Sequence, residues 1–368
     1  LLPARDAEAA RRRPARGGQG PVDRADRGRA PRRARRRGGI GRDPQIIRNN
    51  LRNRYHGEIY HTHNNNLMNA RTFFQVGDVL PSRQNQYGFR ASIPLGSDKF
   101  SFFWSGEETR ESGYVNGNVR VPLPSERTAI AEDPGLRSLM QSWLNAYPKE
   151  RPNRTEIDPR MLNTNALQRI RSTGGMFRID GKVNEESRFS ALYSINDNFI
   201  DSFEFVVGQN PNQRLRVQRL NLGWQQQLSP TTTLQLGANF LRNKVHILVP
   251  PGAVGPNVNT GREIESLGPA FNFPVYQISN NFQYLIQAST NLGRHRFDWG
   301  GQVVRTQLNE LYSDGLRGVV SFSNNFGRTG LENFRHGTAT RYSYVAGNLY
   351  RAWRRTDVNL SISDRIRL

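Results

Sequence analysis

A repeated two-residue alternation of apolar and polar side chains is the feature that most constrains the fold of this chain. It is clearest in Leu220-Asn221-Leu222-Gly223-Trp224-Gln225, and it resumes after the turn Ser229-Pro230-Thr231 as Leu234-Gln235-Leu236-Gly237-Ala238-Asn239-Phe240. Alternation of this kind is typical of β-strands that present one face to an apolar environment. Either a half-buried antiparallel sheet or the lipid-facing wall of a barrel would produce it.

The lengths of the connections between these segments distinguish the two architectures. We predict eleven strands, near 54–62, 85–94, 99–110, 175–184, 187–197, 215–228, 232–247, 280–292, 295–309, 340–351 and 355–366. Tight connections at 95–98, 185–186, 229–231, 293–294 and 352–354 alternate with long ones at 63–84, 111–174, 198–214, 248–279 and 310–339. Outer-membrane barrels place short turns on the periplasmic side and long loops on the cell surface. A soluble sandwich has no reason to collect every long connection at one end.

The predicted strands also have the length and number of a membrane barrel that is incomplete. Several exceed the ~5–6 residues common in globular proteins and suit a tilted membrane crossing. Eleven strands would leave two unpaired edges, which lipid does not tolerate, and single-chain bacterial barrels have even strand numbers. We therefore expect an all-β fragment holding about 11 of the about 22 strands of a plugged transporter barrel, with long extracellular loops.

Composition excludes several other classes of protein. The chain has no cysteine, which excludes disulfide scaffolds, thiolate metal sites and cysteine nucleophiles. No stretch approaches the ~18 consecutive apolar residues of a membrane-spanning helix. Phosphate-binding glycine loops, zinc-protease helices and nucleophile elbows are also missing, so we predict neither an enzyme nor a cofactor.

The first 44 residues differ sharply from the rest of the chain. Residues 1–45 hold 14 arginines and five acidic residues, with no aromatic residue. Such a segment cannot bury enough apolar surface to fold, and we expect it to be disordered. It could be a nucleic-acid- or membrane-binding arm, a native linker, or an out-of-frame translation of a GC-rich gene; we favour the last and expect no nucleic-acid partner.

Two small clusters are candidate sites. His61 and His63 lie two residues apart, a spacing that can chelate a metal, but no acidic or cysteine partner is near in sequence. Glu107, Glu108 and Glu111 could form a carboxylate pair for acid–base chemistry. They end a strand at the predicted cell-surface rim, where solvated charge is the simpler interpretation. We predict no catalytic or metal site at either cluster.

Aromatic residues fall into two groups. Those at alternate strand positions are expected to face lipid or form an interfacial girdle rather than stack on sugars; they are Trp104, Tyr193, Trp224, Phe240 and Trp299. Tyr114, Trp143 and Tyr147 lie in predicted loops, which carry recognition in many proteins, and are the better ligand candidates. No single residue can be assigned to a substrate from the sequence.

Several short motifs follow one another along the chain. They are Arg54-Tyr55-His56-Gly57-Glu58-Ile59-Tyr60, Asn69-Ala70-Arg71-Thr72-Phe73-Phe74, Arg83-Gln84-Asn85-Gln86-Tyr87-Gly88, Asp98-Lys99-Phe100-Ser101-Phe102-Phe103-Trp104-Ser105-Gly106-Glu107-Glu108, Val121-Pro122-Leu123-Pro124-Ser125-Glu126-Arg127, Tyr147-Pro148 and Phe177-Arg178-Ile179-Asp180. Their order resembles the start of the barrel in large TonB-dependent receptors that carry an N-terminal carboxypeptidase-regulatory-like domain. The similarity extends over about residues 45–368.

The resemblance implies a domain organisation and a function. Residues 45–53 would be the remnant of the plug and 54–368 the N-terminal half of an outer-membrane barrel. Such receptors bind a substrate at extracellular loops and plug, and import it with energy delivered by the TonB complex. We therefore expect outer-membrane lipid, TonB and an unknown small molecule, glycan or peptide as partners. A surface-exposed adhesion or carbohydrate-binding module is the alternative.

Overall fold

The computed structural model describes residues 55–70, 78–95, 99–312 and 314–367, which form an antiparallel β-sheet and a layer of folded loops. In chain order, the strands of the described residues are β1 (His56–Asn65), β2 (Ser82–Leu95), β3 (Phe100–Arg120), β4 (Met161–Lys182), β5 (Ser187–Asp201), β6 (Asn212–Ser229), β7 (Thr232–Leu248), β8 (Asn257–Asn259), β9 (Val275–Leu292), β10 (His295–Leu311), β11 (Val319–Ser321), β12 (Arg341–Ser343) and β13 (Tyr350–Ile366). Two α-helices, α1 (Pro134–Leu144) and α2 (Gly330–His336), lie in the loops. The predictions for residues 1–44 and 45–53 fall outside the described residues.

Ten long strands form one meander in which each strand pairs with the next long strand of the chain. The order is β1-β2-β3-β4-β5-β6-β7-β9-β10-β13, and every pair is antiparallel. Among the described residues, β1 and β13 each have one neighbour, so the sheet is open. The predicted all-β fold, a partial barrel, is confirmed.

The connections alternate as predicted along most of the sheet. Short connections join β2 to β3, β4 to β5, β6 to β7 and β9 to β10, the last through Gly293 and Arg294 alone. The connections at the other end of the strands are longer, and the largest continuous one, between β3 and β4, covers residues 121–160. All long connections therefore emerge from one end of the sheet.

Of the last two predicted strands, the one at 355–366 lies within β13, whereas the one at 340–351 is wrong as a separate strand of the large sheet. Residues 340–351 and 355–366 were expected to be two strands joined by a turn at 352–354, but β13 runs through the expected turn. It pairs with β10 without a break, from Tyr350 opposite Leu311 to Ile366 opposite His295. Ala352-Trp353-Arg354 contains no Gly, Pro, Asn or Asp that would favour a turn. Within the described residues the large sheet therefore has ten strands and not eleven.

The register places the apolar residues of neighbouring strands on one face, because directly opposed residues in antiparallel strands share a face. Trp104 lies opposite Phe177, Phe177 opposite Tyr193, and Tyr193 opposite Leu220. These side chains are open to the surroundings; Trp104 is 51% exposed. The five strand aromatics predicted to face lipid, Trp104, Tyr193, Trp224, Phe240 and Trp299, all lie on this outer face.

The apolar belt crosses the strands obliquely. A row of directly opposed residues runs from strand to strand, starting at Trp104 on β3. These residues are apolar as far as Phe282 on β9, and the next two, Arg305 on β10 and Thr356 on β13, are polar. On β13 the belt has moved toward the tight-turn end, where Val358, Leu360 and Ile362 are 63 to 83% exposed. Strands tilted to the membrane normal require this drift, because the bilayer is level and the strands are not.

A separate hydrophobic core lies in the long loops. We call the folded loops at residues 121–160, 202–211, 249–274 and 314–349 the cap. Its fully buried members come from all four segments and include Leu144, Val206, Leu267, Phe322 and Phe334. A three-stranded sheet, β12-β11-β8, joins two of these segments. The four loops therefore pack together into one layer.

Local sequence signals explain the two helices of the cap. The Asp133 side chain accepts a hydrogen bond from the Leu136 backbone N–H at 2.7 Å, and Pro134 follows it at the first helical position. At α2, Thr329 and Glu332 form a capping box, and Gly337 ends the helix at φ +70°. Neither helix among the described residues is long and apolar enough to cross a membrane.

Candidate functional site: the inner wall and the cap

The inner face of the sheet carries mostly polar and charged residues. Near the middle of β1–β3, the Tyr60 hydroxyl donates a hydrogen bond to the Glu107 carboxylate, and the Arg90 guanidinium lies 5.5 Å from the centre of the Tyr60 ring. Gly88, directly opposite Tyr60, leaves room for this ring, since a Cβ there would meet it at 2.2 Å. We call Tyr60, Arg90 and Glu107 the inner-wall triad.

The inner-wall triad borders a groove that extends along β4, β5 and β6. Its far side is formed by Met176, Asn196 and Arg219. The groove thus combines two guanidinium groups, one carboxylate and an amide with an aromatic ring. Such a surface can hold a polar ligand, or a protein segment inserted into the barrel, through directional hydrogen bonds.

A second recess on the inner face lies toward the tight-turn end. Asp298 accepts a hydrogen bond from Ser289 Oγ at 2.6 Å, and its carboxylate is flanked by Arg296 at 3.3 Å and Arg365 at 3.6 Å. The Asp298 carboxylate is therefore shared by two guanidinium groups and a hydroxyl. This arrangement fits a structural ion-pair network on the wall better than a ligand site.

The cap interior contains ionisable groups held away from water. Tyr147 is buried, and its hydroxyl donates a 2.5 Å hydrogen bond to the backbone carbonyl of Glu265. Burial raises the pKa of the Tyr147 hydroxyl. Burial likewise raises the pKa of the Glu265 carboxyl. The charge of Arg120 and a 3.1 Å hydrogen bond from Gln209 lower this pKa, but burial has the larger effect. The cap is therefore held together by polar bonds as well as by its apolar core.

The histidine pair predicted as a weak metal candidate faces outward on β1. Asn85 Oδ1 lies 2.8 Å from His63 Nδ1 and 3.3 Å from His61 Nε2, and the His61 ring stacks on Tyr87. A neutral amide therefore occupies the space between the imidazoles. Within the described residues, no group of three or more His, Cys, Asp or Glu side chains is arranged to hold a metal ion.

The glutamate cluster is divided between the two faces of the sheet. Glu107 belongs to the inner-wall triad, whereas the next residue, Glu108, points outward and pairs with Arg110 at 2.7 Å and Arg171 at 2.8 Å. Adjacent strand residues always point to opposite faces. The structure therefore does not bring Glu107 and Glu108 together as a carboxylate pair.

Two of the three loop aromatics are part of the core. Trp143 and Tyr147 are 6% and 2% exposed, and Trp143 stacks on Phe334 with ring centres 6.2 Å apart. They cannot offer a ring to a ligand in this conformation. Tyr114 is 43% exposed on the outer face of β3, because that strand continues to Arg120 instead of ending at 110.

Sequence reasoning missed the inner-wall triad. The sequence contains a sign of this cluster, because Arg90 and Glu107 occupy alternate, polar positions of two neighbouring predicted strands. What could not be read from the sequence was the register, which depends on a connection of many residues between β1 and β2.

The fold and the inner wall together define a class of protein, the outer-membrane β-barrels. An open meander with an outward apolar belt, a polar inner face and all its long loops at one end has the construction of such a barrel. The family model described as "Outer membrane beta barrel domain" matches residues 53–368. The chain belongs to this family and is an integral β-barrel protein of the outer membrane.

Two of the solved structures that are similar to this chain match it only weakly. The ferric-catecholate import receptor Fiu of E. coli K12 matches with a TM-score of 0.35 and 8% identity, over 77% of this chain and 40% of that one. A FadL homologue of Pseudomonas aeruginosa matches with a TM-score of 0.20 and 12% identity, over 77% of this chain and 68% of that one. The chain thus spans less than half of the Fiu receptor. A comparison with curated proteins found no match.

Proposed function

We propose that this chain is part of the barrel of a TonB-dependent outer-membrane receptor, which binds a substrate at the cell surface and imports it with energy from the TonB complex. The observation that carries the proposal is the folded cap above a polar inner wall. A passive pore needs no layer of loops with its own hydrophobic core. A receptor needs a rigid surface that recognises its ligand before the ligand enters the barrel.

The open sheet and the motif order support the same proposal. Among the described residues, the edges of β1 and β13 carry unpaired backbone groups, which hydrocarbon does not tolerate. Further strands would complete the barrel, and a 22-stranded barrel is wide enough to need a plug. The motifs of residues 54–60 and 98–108 resemble receptors of this size. On this proposal the chain is a binding and transport protein and not an enzyme.

The adhesion-module alternative receives no support from the edge strand. It predicts polar residues on both faces of edge strands, whereas the outer face of β13 presents Val358, Leu360 and Ile362. The outer face of β13 thus favours transport over adhesion.

An uptake experiment in the native bacterium tests the proposal. Cells carrying the intact gene or a deletion would be given a labelled ferric chelate, a labelled oligosaccharide, a labelled peptide and labelled cobalamin, with and without a protonophore. We expect at least one label to accumulate only when the gene is present and the proton-motive force is intact. Accumulation that persists in the presence of the protonophore would instead identify a passive channel.

Adjacent glutamates provide a matched pair of variants for the same assay. Glu107→Gln removes the inward charge of the inner-wall triad, and Glu108→Gln removes the neighbouring outward charge. If the inner wall contacts the substrate or the plug, Glu107→Gln should lower uptake severalfold while Glu108→Gln leaves it near the wild-type level. Equal effects of the two variants on uptake would show that the inner wall does not contact the substrate or the plug during import.

A further inference from the structure

Four cations form a compact patch on the outer face of β6 and β7. Arg214 and Arg216 lie on β6, and Arg242 and Lys244 lie on β7. Lys244 is directly opposite Arg216, and Arg242 is the next residue of the same face. We call these four residues the outer basic patch.

The outer basic patch is poorly neutralised by the protein itself. Asp197 on β5 accepts hydrogen bonds from Arg214 at 2.9 Å and from Arg216 at 2.8 Å, so one carboxylate serves two guanidinium groups. Arg242 and Lys244 form no ion pair with any described residue. Like charges directly opposite each other destabilise a sheet. Arg216 and Lys244 are such a pair, and an anion bound between them would remove this repulsion.

The position of the patch relative to the apolar belt identifies the kind of anion. Phe240 is two residues from Arg242 on the same face, and it lies opposite Leu220. The patch therefore begins where the belt ends, on the side of the long loops, which is the extracellular side of such a barrel. A lipid whose acyl chains cover Leu220 and Phe240 would place its headgroup at the patch.

We propose that the outer basic patch binds the phosphate groups of a lipid of the outer leaflet. Arginine guanidinium groups bind phosphate oxygens in a bidentate manner, and clusters of Lys and Arg at the membrane surface recognise anionic headgroups. Partial exposure leaves the four side chains accessible from the membrane side; the side chains of Arg214 and Arg216 are 49% and 37% exposed. The inference depends only on the outer-membrane location and not on TonB-dependent import.

Binding of defined lipids to the detergent-purified protein tests this proposal. The probes are lipid A carrying both phosphates, the same lipid after removal of both phosphates, and inorganic phosphate, each titrated and followed by native mass spectrometry. We expect the bisphosphorylated lipid to bind at least tenfold more tightly than the phosphate-free lipid. Arg242→Gln combined with Lys244→Gln should weaken binding of the bisphosphorylated lipid by roughly tenfold or more, since each cation near a membrane surface contributes appreciably.

The chain offers a matched control for the double substitution. Lys182 and Arg188 are also directly opposite each other, but on the inner face at a tight-turn end. Lys182→Gln with Arg188→Gln removes the same two charge types and should change lipid binding by less than twofold. Exchange of the patch residues, Arg242→Lys with Lys244→Arg, keeps both charges and should keep binding, which separates loss of charge from loss of fold.

Three results would overturn the proposal. Equal binding of the phosphorylated and phosphate-free lipids would show that only acyl chains are recognised. Equal loss of binding in the outer and inner double variants would show a general charge effect. Binding of inorganic phosphate as tight as that of the lipid would make the patch an ion site and not a lipid site.

Discussion

Individual residues of the cap show how one short helix separates two environments. Leu139 and Leu144 both belong to α1, yet Leu139 is 44% exposed and Leu144 is 1% exposed. Leu144 packs in the core with Trp143 and Met140. The stability of the cap should therefore depend on one leucine and hardly on the other.

Leu144→Ala should destabilise the cap by about 2–5 kcal/mol, because it leaves a cavity in a packed core. Leu139→Ala should stay within about 0.5 kcal/mol of the wild type. The measurement is the rate of limited proteolysis of the loops in the detergent-purified protein, with the β-sheet content followed in parallel. Similar proteolysis rates for the two variants would contradict the packing of α1.

We expect Glu265 to make the stability of the cap depend on pH. Burial raises the pKa of its carboxyl above the ordinary value of 4.5. The folded cap therefore binds this proton more readily than the unfolded cap does, and the resulting contribution to stability is lost as the pH rises through the folded pKa. Burial raises the pKa of Glu204 in the same way.

We expect the cap of the wild-type protein to resist proteolysis better near pH 5 than near pH 7.5. Glu265→Gln should reduce this difference, because a neutral amide cannot titrate, whereas Glu185→Gln at an exposed turn should leave it unchanged. Below about pH 4 the trend should reverse. The pKa of Asp158 is lowered by the backbone N–H of Arg160 and by Arg120, and that contribution is lost in acid.

At the scale of the strand, glycines allow aromatic rings to cross from one strand to the next. Phe89 on β2 lies over Gly106 on β3, where a Cβ would come within 2.5 Å of the ring. Gly175 on β4 is directly opposite Gly106, but a Cβ there would have only ordinary contacts of 3.5 and 3.9 Å. The two neighbouring glycines therefore have different roles.

Gly106→Ala should destabilise the sheet by about 1–3 kcal/mol through overpacking against Phe89. Gly175→Ala should be neutral or slightly stabilising, because it only reduces the freedom of the unfolded chain. In a Phe89→Ala background the cost of Gly106→Ala should fall, giving a coupling of about 0.5–3 kcal/mol in denaturant unfolding. Additive effects of the two substitutions would show that the ring does not occupy this space.

The sequence predicted strands where alternation was regular and turn residues were clear. Ser229-Pro230-Thr231 and Gly293 marked two tight turns that the structure contains, whereas the turn at 352–354 had no such residue and does not exist. The cap could not be predicted, because Leu144, Val206, Leu267 and Phe334 belong to different loops and meet only after the strands have paired. Contacts between residues so far apart in the sequence produce no pattern in any short stretch of it.

For the molecule as a whole, the loops and the tight turns should lie on opposite sides of the membrane. The chain has no cysteine, so single cysteines can report their position. Glu132→Cys in the cap should react with a membrane-impermeant maleimide in intact cells. Glu185→Cys in the turn between β4 and β5, equally a replacement of an exposed glutamate, should react only after the outer membrane is permeabilised. The reverse labelling would invert the orientation of the barrel.

The contact between Trp143 and Phe334 has a consequence for the wall below it. Trp143 lies in the loop before β4 and Phe334 in the loop after β10, and five strand-to-strand steps separate β4 from β10. In a flat sheet those steps would place the ends of β4 and β10 roughly 24 Å apart. The Arg335 side chain also donates to the Thr128 carbonyl at 3.0 Å, joining the same two loops. The cap thus links the loop before β4 to the loop after β10, so we expect loop substitutions that loosen this contact to alter the spacing of those strand ends.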